Sequence, residues 1–475
     1  MTTARHSAHP AASTDIVIIG GGFTGAAVAL HVSRLVPDAQ VTVIEPRPFL
    51  GGGLAYDDAD PAHRINVPAS RMTLFPGDGD HFARWINAND AIARDPEAKA
   101  ADGNIYPRRQ IFGQYAWSYV QPLVVSGRVR HITARATSIS KHHSYWQIAT
   151  DSAPAIQARI VVLATSHPPP EPPAQLVPLT GTRQLIPDAL RLGALAGIAP
   201  DASVVIIGTG LTMADVVATL DAGGHRGQIT ALSRRGLRSR GHPAKPSEPF
   251  GLFVQPRPPT TVELLRTVRA AIRRAETEGL TWHCVLDAVR GQAQKFWPDL
   301  ALAERSRIVR HLRPFWDVHR FRIAPQVEAV LDRRIADGTL KIVAASLKSA
   351  SATPSLQLTA ISRRSGETLT YFPDYVIVTT GPAHASIVST QPHLQSLANG
   401  GWITADALRL GIACDMQCRA LGQDAKPSEG LFVAGPLARA AFGELMGLPQ
   451  VSEHALRVAE AVEGVFSGIR SRLTA

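Results

Sequence analysis

Cysteine is scarce. The 475 residues hold only Cys284, Cys414 and Cys418, an odd number with no Cys-x-x-Cys spacing. That excludes both a disulfide framework and a dithiol redox centre. Cys414 and Cys418 share a helical spacing, but no histidine pair accompanies them, so packing is expected there and no metal. Long apolar runs are missing as well. No segment is long enough to span a bilayer, and residues 1–13 lack the apolar core of a signal peptide, which points to a cytoplasmic protein with no membrane contact. Lysine is sparse beside arginine. The formal net charge is +10 and the pI near 9.9, yet the arginines are scattered through every segment rather than gathered into a basic stripe. Nucleic acid is therefore not an expected partner.

Against these absences stand two glycine-rich turns in the same context. Asp15-Ile-Val-Ile-Ile19 runs into Gly20-Gly21-Gly22-Phe23-Thr24-Gly25, and Ala202-Ser-Val-Val-Ile-Ile207 runs into Gly208-Thr209-Gly210-Leu211. Each apolar run reads as a buried parallel strand. The glycines after it make a tight turn, let backbone approach a diphosphate, and open a helix whose N-terminus attracts anions. The next strand of the first unit, Gln40–Ile44, ends in Glu45, where a carboxylate can accept ribose hydroxyls. At the same offset the second unit, Gln228–Leu232, carries Ser233, Arg234 and Arg235. Guanidiniums there suit a 2′-phosphate, which a carboxylate would repel. The second nucleotide is thus expected to be NADPH.

The chain is long enough for two or three domains. The expected class is α/β, with two Rossmann-like dinucleotide-binding domains and a helical insertion. Residues 1–180 read as the first part of one domain, containing the glycine-rich loop Gly51-Gly52-Gly53, the turn Asn66-Val67-Pro68, and a strand over 158–163 that ends at Ala164-Thr165-Ser166-His167. A proline-rich connection, Pro168–Pro178, follows. Residues 200–337 read as the second unit with its insertion, where Val262, Leu265, Val268 and Ile272 fall on one helical face. Residues 338–475 read as a return to the nucleotide-binding domains that completes the first through Gly430–Ala434 and Gly435-Pro436.

Together these residues resemble the two-dinucleotide-binding flavoproteins. Gly53-Leu-Ala-Tyr56, Asn66-Val67-Pro68, Gly208–Asp215, Ser233-Arg234-Arg235, Phe315–Arg320 and Gly435-Pro436-Leu437 look more narrowly like a bacterial subfamily that includes FAD-dependent urate hydroxylases and aspartate N-hydroxylating flavoproteins. The resemblance implies FAD as cofactor and NADPH or NADH as reductant. Gly20, Gly22, Gly25 and Glu45 would hold the adenosine diphosphate half of FAD, Asn66 would lie near the flavin ring, and Gly435-Pro436 near the ribityl chain or ring. Gly208, Gly210, Ser233, Arg234 and Arg235 would hold the nicotinamide dinucleotide. The sequence departs from the fingerprint at Met213, which stands at the third glycine position. Urate hydroxylases of this kind are associated with NADH, whereas Arg234 and Arg235 argue for NADPH.

With no cysteine pair to receive electrons, oxygen is the expected acceptor. The partners are then a small-molecule substrate and O2, and an oligomer is compatible with the sequence. The resemblance implies a monooxygenase, with urate hydroxylation to 5-hydroxyisourate through a flavin C4a-hydroperoxide as its leading form; amino-acid N-hydroxylation, or electron donation to a partner protein, are the alternatives. In Trp316-Asp317-Val318-His319-Arg320, His319 can serve as a base oriented by Asp317 and Arg320 as an anion clamp. Acidic, basic and aromatic neighbours are also common on ordinary helices. His63, Asn66 and Arg71 are further candidates. Glu444 can touch substrate or cap a helix, and Gly241–Pro259 can form a lid or an ordinary inter-domain loop.

Overall fold

The computed structural model describes residues 12–474; most of the N-terminal stretch 1–13 considered above lies outside them. The chain begins with six strands, β1 (Ala12–Ile19), β2 (Val41–Ile44), β3 (Val129–Ile132), β4 (Ala136–His142), β5 (Tyr145–Thr150) and β6 (Ile156–Leu163). β1 lies parallel to β2 on one side and β6 on the other, and β2 parallel to β3. Helices cover both faces of such a sheet, so its central strands are apolar throughout rather than alternating; all four residues of β2 are buried. The β4–β5 hairpin joins the first half of β6 antiparallel.

A second sheet follows, from β7 (Leu185–Ile186), β8 (Val204–Ile207), β9 (Ile229–Ser233), β10 (Leu340–Ser351), β11 (Gln357–Ser362), β12 (Thr368–Tyr371) and β13 (Tyr375–Val378). Their order is β12-β11-β10-β9-β8-β13-β7. β10 serves two roles: its start, to Ala344, runs parallel to β9, and its later part, from Ala345, pairs antiparallel with β11 through an irregularity between Leu347 and Ser349. The chain then returns to the first sheet through β14 (Arg419–Leu421) and β15 (Pro427–Val433), with β15 parallel to the second half of β6. The stretch after residue 338 is therefore divided. β10 to β13 extend the second sheet, and only β14 and β15 rejoin the first.

The first glycine turn opens helix Phe23–Leu35, which packs against helices Arg109–Val125 and Gln450–Thr474. The second opens helix Leu211–Ala222, which packs against helix Pro325–Ala336. Between β9 and β10 lies the helical insertion, with its own core around Phe253, Cys284, Val289, Phe296 and Trp297. Its helix Thr261–Thr277 begins with a reciprocal cap, the Glu263 N–H donating to the Thr260 hydroxyl and the Thr260 N–H to the Glu263 carboxylate. The face it buries differs from the expected one. Val262 is 56 % exposed, whereas Leu264, Ala271 and Ala275 are buried. The alanines let the neighbouring helix Trp282–Phe296 come close, so Ala271 and Ala275 with Leu264 form the seam; Val268 and Ile272 pack at its margin. Cys414 and Cys418 are both buried. No helix among the described residues is long and apolar enough to cross a membrane.

Candidate functional site

The first glycine turn is held by backbone closeness. Gly20 has φ of +97°, the left-handed region that favours glycine, and a Cβ there would stand 2.7 Å from the Ala164 carbonyl oxygen at the end of β6. A Cβ on Gly25 would lie 1.9 Å from the Gly20 oxygen, so the third glycine lets helix and strand touch. Gly22 is the N-cap of helix Phe23–Leu35 and supplies no side-chain acceptor, which leaves first-turn amides open to an anion. Glu45 is buried beside the turn; its Oε2 accepts from the Gly21 N–H at 2.8 Å and its Oε1 from the Arg47 N–H and Nη1 at 3.1 and 3.0 Å. The tertiary structure adds two further glycines. A Cβ on Gly53 would lie 2.7 Å from the Gly22 Cα, and one on Gly435 would lie 2.6 Å from the Thr24 hydroxyl oxygen. Gly435 and Pro436 open the short turn Gly435–Ala438 that follows β15, so the distant return segment closes over the start of the first helix.

The second turn is built alike with one difference. Gly208, at φ +120°, would carry its Cβ 2.4 Å from the Thr379 oxygen at the end of β13, and Gly210 faces open space as N-cap of its helix. Met213, where a third glycine would stand, is fully buried in the main core. The Ser233 hydroxyl accepts from Thr209 Oγ1 and from the Gly236 N–H, both at 2.9 Å, and so ties the turn together. Arg234 and Arg235 project beyond it into solvent, the Arg235 guanidinium 5.5 Å from the centre of the Phe315 ring.

His319 and Arg320 end helix Arg313–Arg320 but are placed differently. His319 Nδ1 donates to the Phe315 carbonyl at 2.7 Å, and its ring meets Trp282 edge-on at 4.8 Å. Asp317 does not orient it. Residues two apart on a helix face away from each other, and Asp317 instead accepts from Arg313 Nε at 3.2 Å. Arg320 is buried, with Nε and Nη2 at 2.9 and 2.6 Å from Glu444 Oε1, while Trp316 Nε1 donates to Glu444 Oε2 at 3.3 Å. Glu444 is thus the partner of Arg320 and Trp316.

The remaining candidates lie along the seam between the two domains. His63 Nδ1 is 2.6 Å from Asp58 Oδ2 and its Nε2 3.0 Å from the Thr219 hydroxyl on the second domain's helix. Close by, Arg109 Nη2 donates to both Asp215 oxygens at 2.9 Å. Burial alone would lower the His63 pKa, but the Asp58 hydrogen bond and the Asp215 charge raise it above its ordinary value. The Asn66 carbonyl accepts from His242 Nε2 at 3.0 Å. His242 belongs to a pocket that also contains Arg71, Tyr106, His283, Asp287 and Arg322. Asp287 accepts from Arg322 at 2.8 Å and has Arg71 Nη1 at 3.7 Å. Burial, with the Arg322 charge adding to it, pushes both His242 and His283 down to about 4, so both imidazoles are neutral near pH 7. One wall of this pocket is formed by His242, Pro243, Pro246 and Ser247, at the start of the segment Gly241–Pro259 read as a lid or an inter-domain loop. His167, at the end of β6, has its Nδ1 3.2 Å from that of His384 beyond β13.

Sequence reasoning missed His242, Asp287, Arg322, the Arg109–Asp215 pair and Thr165. Only Thr165 carried a local signal, as a residue just past the carboxyl end of a central parallel strand. Its buried hydroxyl has no partner among the described residues. That hydroxyl, the open amides after Gly22 and the close-packed Gly20, Gly25, Gly53 and Gly435 fit the diphosphate of a dinucleotide.

Two such cradles on two parallel-centred sheets, with an interrupted first domain, define the fold of the two-domain FAD/NAD(P)-binding flavoproteins. Residues 17–168 match the FAD-NAD(P)-binding family model, which makes the first unit a FAD/NAD(P)-binding region. No curated protein sequence matches the chain. Among solved structures it is similar to reduced ornithine hydroxylase from Pseudomonas aeruginosa, with TM-score 0.67, 15 % identity, and 96 % of this chain and 100 % of that one covered. An ornithine N-hydroxylase from a Kutzneria species, with reduced FAD, NADP+ and L-ornithine, gives 0.63 at 15 % identity over 96 % and 99 %. L-lysine 6-monooxygenase from Pseudomonas syringae gives 0.62 at 16 % identity, over the same shares.

Proposed function

We propose that this chain is a FAD-dependent, NAD(P)H-using monooxygenase that hydroxylates the nitrogen of an amino acid or related amine. The observation that carries the reading is the pair of dinucleotide cradles on one chain, with a small polar pocket between the domains. The match of residues 17–168 to a FAD-NAD(P)-binding model and the fold shared with N-hydroxylating enzymes support it. Gly20, Gly22, Gly25, Glu45 and Gly435 would hold FAD, and Gly208, Gly210, Arg234 and Arg235 the reductant. The bound flavin, reduced by the nicotinamide, would supply oxygen activation.

The chain itself would bind the substrate and manage its proton. Arg71, half-exposed and 3.7 Å from Asp287, can hold a carboxylate, and Asp287 an ammonium. A neutral His242 or His283 can accept a hydrogen bond from the amine, whose ammonium must lose a proton to solvent before its nitrogen has a lone pair. The pocket walls would keep water away. The urate reading has weaker support: Arg320, its anion clamp, already faces Glu444, His319 has no carboxylate behind it, and none of the solved structures named above is a urate hydroxylase.

The test uses purified yellow protein. NADPH and NADH oxidation in air are followed with amino acids, diamines and urate in turn, with assays for N-hydroxy product, urate loss and hydrogen peroxide. Amine-dependent oxidation that yields an N-hydroxy product is the expected outcome. Urate loss with little peroxide would replace this reading by urate hydroxylation, and dye reduction with no substrate response would replace it by electron donation.

A further inference from the structure

We infer that Arg439, with Thr165 and His167, forms an oxyanion site that grips the diphosphate of the dinucleotide held in the first cradle. The inference rests on the reading that this cradle takes FAD. Arg439 opens the short helix Arg439–Phe442, directly after the turn whose Gly435 packs on Thr24. The same contact that closes the return segment over the first helix therefore brings the turn just before Arg439 to that helix's N-terminal end.

Arg439 is 5 % exposed, and its Nε and Nη2 have no hydrogen-bond partner among the described residues. The carboxylates whose charges reach it are engaged elsewhere, Asp317 by Arg313 Nε, Asp406 by the N–H groups of Leu408 and Leu410, and Glu444 by Arg320 and Trp316. A guanidinium so buried is costly unless an anion faces it. Two more buried polar atoms have no partner among the described residues, the Thr165 hydroxyl and His167 Nε2, and His167 lies within range of the Arg439 charge. The Thr165 Cα stands 3.0 Å from where a Cβ on Gly20 would be, which puts this residue against the first glycine of the turn.

The tautomer of His167 follows from its neighbour. Burial, reinforced by Arg439 and Arg313, takes His167 down to about 4, and His384 falls still further for the same reasons, so both rings are neutral. When His384 donates from Nδ1 to His167 Nδ1 across their 3.2 Å contact, the His167 proton resides on Nε2. Guanidinium, hydroxyl and imidazole N–H are then three donors for one anionic group, beside the open amides after Gly22.

The experiment is a titration of flavin-stripped protein with FAD, riboflavin and NADP+, read by flavin fluorescence for the first two and by calorimetry for the third. Arg439→Gln should weaken FAD roughly tenfold to a hundredfold, the range for losing charge-assisted hydrogen bonds. Riboflavin, which has no diphosphate, and NADP+ should bind as to the wild type, and Arg439→Lys should recover part of the loss. Thr165→Val should weaken FAD by a smaller factor. Unchanged FAD affinity, equal weakening of riboflavin, or a loss confined to NADP+ would each overturn the inference. If Arg439→Gln does not fold by circular dichroism, Thr165→Val and His167→Gln decide, and wild-type FAD affinity in both overturns it. A wild-type chain that binds NADP+ but no FAD would remove the flavoprotein reading, and this inference with it.

Discussion

At the scale of single residues, charge placement makes the sharpest predictions. Arg234 and Arg235 are exposed just beyond β9, Arg235 over the Phe315 ring, with Ser233 occupied in bracing its own turn. Replacing both arginines by alanine should raise KM for NADPH roughly tenfold and leave KM for NADH nearly unchanged; equal effects on the two would remove the 2′-phosphate assignment. Glu444 is a different case. It faces Arg320 across a buried ion pair whose side chains are 7 % and 5 % exposed. Glu444→Ala would leave a buried guanidinium without its partner, at a cost of about 3–5 kcal/mol, to be seen as a lower urea midpoint whether or not flavin is bound. A variant of wild-type stability would show that water compensates Arg320 instead.

At the scale of elements, the two strand-turn-helix units solve one problem in two ways. In the first, Gly25 lets helix Phe23–Leu35 lie directly on β1, and a methyl group there would meet the Gly20 oxygen at 1.9 Å. Gly25→Ala should therefore push the helix away from the turn, and the purified protein should come out with little flavin and a lowered melting temperature. A yellow protein of normal stability would show that the helix can shift without cost. In the second, Met213 fills the corresponding position with a fully buried side chain. That is compatible with a nucleotide because the third glycine serves packing rather than contact with the ligand.

At the scale of the whole molecule, the domains are joined by polar groups that titrate. His63, on the first domain, touches Thr219 on the second, and its pKa is raised because Asp58 and Asp215 outweigh burial. A base whose pKa is higher in the folded state stabilises that state fully below its unfolded value of 6.5 and loses the contribution as pH rises through the folded value. Asp58, lowered by His63 and Arg109 against the opposing effect of burial, acts the other way and loses its contribution only in acid. Melting temperature should thus fall as pH climbs from about 6.5, and His63→Gln should flatten that slope. An unchanged slope in the variant would place the titrating group elsewhere.

The nucleotide units were legible in the sequence because their signals are local. A buried strand, a glycine turn and a helix start occupy about fifteen consecutive residues, and the end of the next strand lies at a fixed offset, so the positions of Glu45 and Arg234 beside the turns could be found by counting. β13 and the end of β15 were legible for the same reason, as short apolar stretches. What lies between the domains was not. Arg109 meets Asp215, His242 meets Asn66, and Arg320 meets Glu444 from more than a hundred residues away, and no spacing rule links such pairs. Asp317 and His319 show the converse, since adjacency in sequence suggested a dyad that helical geometry turns apart. The sequence by itself determined the two cradles and the class of cofactor they can take. Only the packing of one domain on the other decided which charges are spent on each other and which, like Arg439, are left to face a ligand.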